Sequence, residues 1–407
     1  MARCILCQSS DVEVVLDLGK MALANKFLTK TELEAGEPAY PLRLAHCSSC
    51  GHVQLPDRVP PAAMFEDYLY MSSLSETLVN HLHGLAAAVV DWAKLKPNAL
   101  VLDIGCNDCT LLEGFRKQRM SVLGMDPAVN LAPVAKQKGI EVVNDFFGLE
   151  SARKLRERFG PAKAITATNV FPHIPALDDF VAGLDVMLDA DGVFVVEAHY
   201  LLDLLDQAAF DTIYHEHVSY WSLDAMQKLF NPRGFEVVDC ERLPIHHGQL
   251  RAFIQRKGVR PASAAVTARL AQEREYGVPE RAPLEKLAAQ AHEVRRQLRR
   301  TLDELKAKGM KVAGYGAPAK GSTLLTFAGV DAGDLQWIAD RSPLKQGRYT
   351  PDSHIPVVST ERILQDQPDY LLVLAWNFVD EIVRQQADYR SRGGKFILPV
   401  PEVKILQ

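Results

Sequence analysis

Between Thr212 and Trp221 the chain reads TIYHEHVSYW, which places two histidines, two tyrosines and a glutamate in ten residues with no amphipathic period. Histidine titrates near neutral pH and is the usual general base, while a phenol hydroxyl or a protonated imidazole donates well to a developing oxyanion. Tyr214, Glu216 and His217 therefore suit removal of a proton next to a carbonyl, the step that turns a carbon into a nucleophile. Glu216 adjoins His217, and adjacent side chains diverge in a helix or strand, so cooperation between them requires a loop. The other reading of the same stretch is a strand-to-helix corner whose aromatics pack and whose histidines bond backbone groups. His199 and Tyr200 of VEAHY are either pocket wall or core.

Four of the seven cysteines form two pairs, Cys4-x-x-Cys7 and Cys47-x-x-Cys50, the second followed by Gly51 and His52. This spacing suits a tetrahedral Zn²⁺ closed by four thiolates, with no position left for catalysis. His46 and His52 flank the second pair as alternative ligands. A module this small has a poor core, so metal binding supplies folding free energy that burial cannot.

Two glycine turns are the remaining chemical signals. LDIGCND lacks a full G-x-G-x-x-G, yet Asp126 ends the next apolar run 21 residues after Gly105. A glycine admits close backbone approach, and an acid at that position accepts hydrogen bonds from ribose hydroxyls. The pair suits an adenosyl group without phosphates, as in S-adenosylmethionine (SAM), with Asp145 reaching the adenine amine and Phe146 packing near the ring. GYGAPA does satisfy G-x-G-x-x-A, with Asp340 24 residues after Gly316. It reads either as an NAD turn or as a helix N-terminus whose Lys320, Ser322 and Thr323 hold the diphosphate of a nucleotide sugar. Pro318 inside it removes an N–H that a pyrophosphate would use.

The elements that must position these groups alternate. Apolar residues at helical spacing from Glu76 to Leu95 precede a strand from Ala99 to Ile104, the first glycine turn, and the runs SVLGMDP, KAITATNVF and GVFVVEAHY. That order describes a doubly wound α/β sheet whose ligand sits at the carboxyl ends of its strands. LEKLAAQAHEVRRQLRRTLDELKAKG is a helical connector into a second α/β unit through KVAGYGAPAKG, LQWIAD, DYLLVLAW and KFILPVP. The divisions expected are 1–70, a zinc-binding domain; 71–259, a SAM-binding domain; and 260–407, the connector and a Rossmann-like domain. A length of 407 residues fits such a multidomain chain, and a net charge of −5 gives no reason to expect nucleic acid. No apolar run is long enough for a membrane span and MARCILCQSS lacks the features of a signal peptide, so the expected location is the cytoplasm.

The succession of the cysteine pairs, MALANKF, FEDYLYMSSLS, VLDIGCNDCTLL, NVFPHI, TIYHEHVSYWSL and GYGAPAKGSTLL resembles the SAM-dependent sugar nucleotide C-methyltransferases. These are three-domain, zinc-containing enzymes that methylate dTDP-linked 4-keto deoxysugars, often at C-3. The resemblance spans nearly the whole chain, and Y-x-E-H and G-A-P-A-K-G are its most specific elements. It implies that His217 is the base, with Tyr214 and Glu216 beside it, and that His173 and Tyr68 neighbour the sugar. Asn107 and Asn169 complete the expected cofactor set of Gly105, Asp126, Asp145 and Phe146. His247 and Arg251 of HGQLR join Lys320, Ser322 and Thr323 as the expected substrate-binding set, although HGQLR departs from the family pattern. Cys106 and Cys109 stand where the family usually shows Ser and Gly. The partner implied is a nucleotide sugar; the oligomeric state stays open, a monomer included. An NAD-dependent sugar nucleotide oxidoreductase and a non-catalytic SAM-binding protein are the competing functions.

Overall fold

Residues 3–65, 71–245 and 248–407 are described by the computed structural model, in which three β-sheets organise the chain. The first is antiparallel and runs Val12–Met21, Tyr40–Cys47, Val53–Gln54. Its fourth strand is Ser219–Tyr220, drawn from the TIYHEHVSYW stretch, with Val53 opposite Tyr220 and Gln54 opposite Ser219. Leu16, Leu18, Leu42 and Leu44 fill its small interior.

The second sheet has seven strands in the order Phe235–Leu243, Gln249–Arg256, Leu188–His199, Ala162–Thr168, Leu100–Ile104, Ser121–Met125, Val142–Val143. The last five are parallel; the two hairpin strands that begin the order are antiparallel. Helix Glu76–Ala93, capped by the Ser75 side chain on the Leu78 N–H, buries Leu78, Leu82, Leu85, Ala86 and Val89 along one face. Those residues join Val101, Ala164, Val193 and Phe253 in one cluster. Each buried leucine there contributes about 1.5–3 kcal/mol.

Two helices follow the second sheet. Ala264–Tyr276 sends Glu273 back into the unit before it: the carboxylate accepts from Tyr200 Oη at 2.7 Å and from the Leu223 and Asp224 N–H groups at 2.6 and 3.0 Å. Tyr200 is thus core. Ala282–Ala307 buries Leu284, Leu287, Ala291, Val294, Leu298, Leu302 and Leu305 along one stripe, its other face solvated. The third sheet, Val357–Val358, Ile338–Ala339, Val312–Tyr315, Tyr370–Val373, Lys395–Leu398, Lys404–Leu406, is parallel except for its last strand.

Candidate active site

A cavity of about 510 Å³ opens at the carboxyl ends of the parallel strands of the second sheet. Gly105, Asn107, Asp126, Asp145, Phe146 and Asn169 all line it, one to three residues beyond the strands Leu100–Ile104, Ser121–Met125, Val142–Val143 and Ala162–Thr168. Gly105 holds φ +67°, and a Cβ there would fall 2.2 Å from Val170 Cγ2, so only glycine fits the turn. Asp126 accepts the Asn107 N–H on one oxygen and the Ala128 N–H on the other, both at 2.8 Å, which fixes its carboxylate at the cavity wall. Burial raises its pKa. Asp145 and Phe146 stand at the exposed rim. Asn169 has φ +58° and accepts a hydrogen bond from Gln249.

A cluster of histidines and Tyr214 adjoins this cavity through His173. His173, from the short helix Phe171–His173, lines the cavity and stacks on Phe65 at 5.2 Å and on His217 at 5.3 Å between ring centroids. His199 lies 4.8 Å and Tyr214 4.0 Å from the His217 ring. A turn closed by the His217 N–H on the Tyr214 carbonyl at 2.9 Å makes this stretch a loop. Tyr214 and His217 face each other, whereas His215 bonds the Tyr40 and Pro41 carbonyls of the first sheet. Glu216 turns to Asn25. Burial pulls His217 down to about 3, with His173 adding to the effect, so the ring is neutral.

The sulfurs of Cys4, Cys7, Cys47 and Cys50 all lie within 4.8 Å of one another, with Cys4–Cys50 and Cys7–Cys47 at 3.6 Å. Thiolates around a tetrahedral zinc with bonds of about 2.3 Å sit about 3.8 Å apart, so the four fit the ion. The flanking histidines are engaged elsewhere: His46 bonds the Pro279 carbonyl at 2.9 Å and His52 the Ser219 hydroxyl at 3.2 Å.

The expected substrate residues do not converge. Arg251 is buried and bonded to Glu197 and Glu241, which stand directly opposite it on the two neighbouring strands. It is a cross-strand ion pair inside the sheet rather than a cavity residue. Ser322 donates to the Ala24 carbonyl at 3.0 Å. Thr323 is buried and borders a narrow space shared with Tyr214 and His215. Lys320 lies 4.1 Å over the Trp376 ring, whose indole donates to Asp211 at 2.6 Å, and burial lowers its pKa to about 8 while Asp211 opposes the shift. It thus abuts the loop that carries Thr212 and His217. Tyr68 and His247 lie outside the described residues.

The second glycine turn repeats the first: Asp340 accepts the Ala317 and Ser342 N–H groups. There Lys345 joins the Ala317 carbonyl to the ring of Phe27, a residue of the first unit, and covers the turn. Sequence reading missed several site residues. Ser72 donates to Asn107 and the Ser73 N–H to Asp108, tying the stretch MSSLS to the cofactor turn, and Gln249 and Asn25 hold Asn169 and Glu216. MSSLS and MALANKF carried a signal only as parts of a pattern.

A cleft at the carboxyl ends of parallel strands and a four-thiolate module point to a SAM-dependent methyltransferase that carries zinc. Three family models match in turn, described as "Putative zinc binding domain" over residues 4–65, "Methyltransferase domain" over 79–239 and "C-methyltransferase C-terminal domain" over 244–401. The chain is 35% identical over 408 residues to C-methyltransferase NovU of Streptomyces niveus, covering 99% of this chain and 96% of that protein. It belongs to this family of C-methyltransferases. Among solved structures, the YcgJ protein of Bacillus subtilis is 18% identical over 44% of this chain and 100% of its own, with a TM-score of 0.35. Magnesium protoporphyrin IX methyltransferase of Synechocystis PCC 6803 is 15% identical over 44% of this chain and 82% of its own, with a TM-score of 0.32.

Proposed function

We propose that this cytoplasmic enzyme methylates a ring carbon, C-3, of a dTDP-linked 4-keto deoxysugar through an enolate generated by His217. The observation that carries the reading is the 2.8 Å hydrogen bond between His217 Nδ1 and the Thr212 carbonyl. A carbonyl only accepts, so the proton sits on Nδ1 and the Nε2 lone pair is left to take another. A lone imidazolium in this cluster is costly, but one formed beside an enolate oxygen is half of an ion pair, which offsets the burial. Tyr214 or His173 donates to that oxygen. SAM, when bound, supplies the electrophilic methyl group. Asp126 orients it through the ribose, with Asp145 and Phe146 at the adenine. Lys320 faces the sugar's diphosphate with Thr323, and Tyr68 and His247 neighbour the sugar. Ser322 and Arg251 act through the scaffold that their hydrogen bonds build. The segments 1–70, 71–259 and 260–407 then serve metal, cofactor and nucleotide sugar in turn.

The test is mass spectrometry of a panel of 4-keto nucleotide sugars incubated with SAM, together with deuterium exchange in D₂O with S-adenosylhomocysteine in place of SAM. Deuterium should enter at the carbon that is otherwise methylated. His217→Asn should slow methylation about 10²–10⁴-fold. Methylation at the wild-type rate in that variant would move the base elsewhere, and an absence of any methylated sugar would remove the substrate class.

A further inference from the structure

MALANKF, residues 21–27, is a strap between all three units, and its neighbours divide into two sides. From the C-terminal unit, Asp352 accepts the Ala22 N–H at 2.8 Å, Ser322 donates to the Ala24 carbonyl at 3.0 Å and Arg348 donates to the Phe27 carbonyl at 3.1 Å. Just beyond it, Leu28 and Tyr349 exchange both backbone hydrogen bonds at 2.9 Å. On its other side Asn25 donates through Nδ2 to both carboxylate oxygens of Glu216, at 2.8 and 2.9 Å. Glu216 is 3% exposed and precedes His217 in a turn whose far end is pinned by the Thr212 carbonyl. A buried carboxylate is held by its donors, so the donor chosen sets the backbone of the turn.

We propose that Asn25 is a positioning residue: by holding Glu216 it carries the docking of the C-terminal unit on residues 21–28 into the orientation of His217. The inference rests on His217 being the base. Asn25 is not among the residues that line the cavity. Without its amide, the Glu216 carboxylate is left to its remaining surroundings, which include the buried ammonium of Lys345, and the turn shifts with it.

The full-length chain with a dTDP-4-keto-6-deoxyhexose as probe decides the matter. Asn25→Ala should lower kcat roughly 10- to 100-fold, the effect of misplacing a reacting group by about 1 Å, while SAM affinity by titration and KM stay within about threefold. Asn25→Gln keeps the amide but moves it outward, and covers the case in which Asn25→Ala does not fold; the same fall in kcat is expected. Asn25→Asp should be slower still, because it sets two carboxylates face to face. Adding Glu216→Gln to Asn25→Asp restores an amide-to-carboxylate pair with its direction reversed and should recover at least tenfold in kcat. Wild-type kcat in Asn25→Gln, or a double variant no faster than Asn25→Asp, overturns the proposal. His217→Asn assayed alongside separates the two readings. If it is inactive while Asn25→Gln runs at the wild-type rate, only the positioning role falls; if it is fully active, the base assignment falls first.

Discussion

The neutrality of buried His217 bears on stability. The folded ring resists protonation down to about pH 3, whereas an unfolded histidine takes its proton near pH 6.5. The unfolded state therefore binds more protons below that value: stability is fully present above pH 6.5 and is lost as pH falls toward 3. One such group gives a slope of about 1.4 kcal/mol per pH unit. Urea denaturation at pH 7.5, 6 and 5 should show this decline, and His217→Asn should flatten it by about one proton. An unchanged slope would mean that the ring is solvated. Asp126→Ala should weaken SAM binding by about 1.5–3 kcal/mol, roughly ten- to a hundredfold, through loss of charge-assisted hydrogen bonds. Titration that finds unchanged affinity would place the ribose elsewhere. The cavity-lining residues were legible because an α/β sheet presents its loop residues just past each apolar run. Arg251 was not: a buried arginine in a strand reads like a pocket cation until the register puts Glu197 and Glu241 opposite it.

At the scale of elements, the pairing of Val53–Gln54 with Ser219–Tyr220 joins the zinc module to the loop that carries Tyr214 and His217. His52 follows the ligand Cys50 by two residues and bonds Ser219, and the Leu55 N–H bonds the Val218 carbonyl at 3.0 Å. Cys47→Ser should thus release zinc, lower thermal stability and slow methylation even though no thiolate reaches the cavity. Metal analysis, a melting curve and a methyl-transfer assay check the three together, and full activity in zinc-free protein would show that the strand pair holds without the ion. Helices such as Glu76–Ala93 and Ala282–Ala307 were legible because many periods reinforce one another. A two-residue strand offers no period, and its partner lies far away in sequence.

Taken as a whole molecule, the chain is tied across the places where its composition changes. A break at residue 259 looks natural from the sequence, yet Glu273 lies beyond it and accepts three hydrogen bonds from Tyr200, Leu223 and Asp224 of the middle unit. A fragment ending at Arg281 should bind SAM within about tenfold of the full chain, whereas one ending at Val259 should melt several degrees lower, since each lost bond leaves a buried group unsatisfied at about 1–3 kcal/mol. Equal melting temperatures would show that water replaces Glu273. The helix Ala282–Ala307 was legible from its period; that Ala264–Tyr276 is tied to the preceding unit was not, because its ties, Glu273 and the Ser263 bonds to Val238 and Asp239 beside it, are polar contacts with residues far away in sequence.

The shared first sheet also sets terms for recombining this chain with its relatives. A graft that exchanges residues 4–65 alone would bring in a foreign Val53–Gln54 edge against a resident Ser219–Tyr220, and a slip of one residue in that short ladder would turn Tyr220 to the opposite face, two residues from Val218 and three from His217. Chimeras that travel with residues 210–222 as well as the zinc module should fold and turn over; those that split the two should be recovered chiefly as inactive protein.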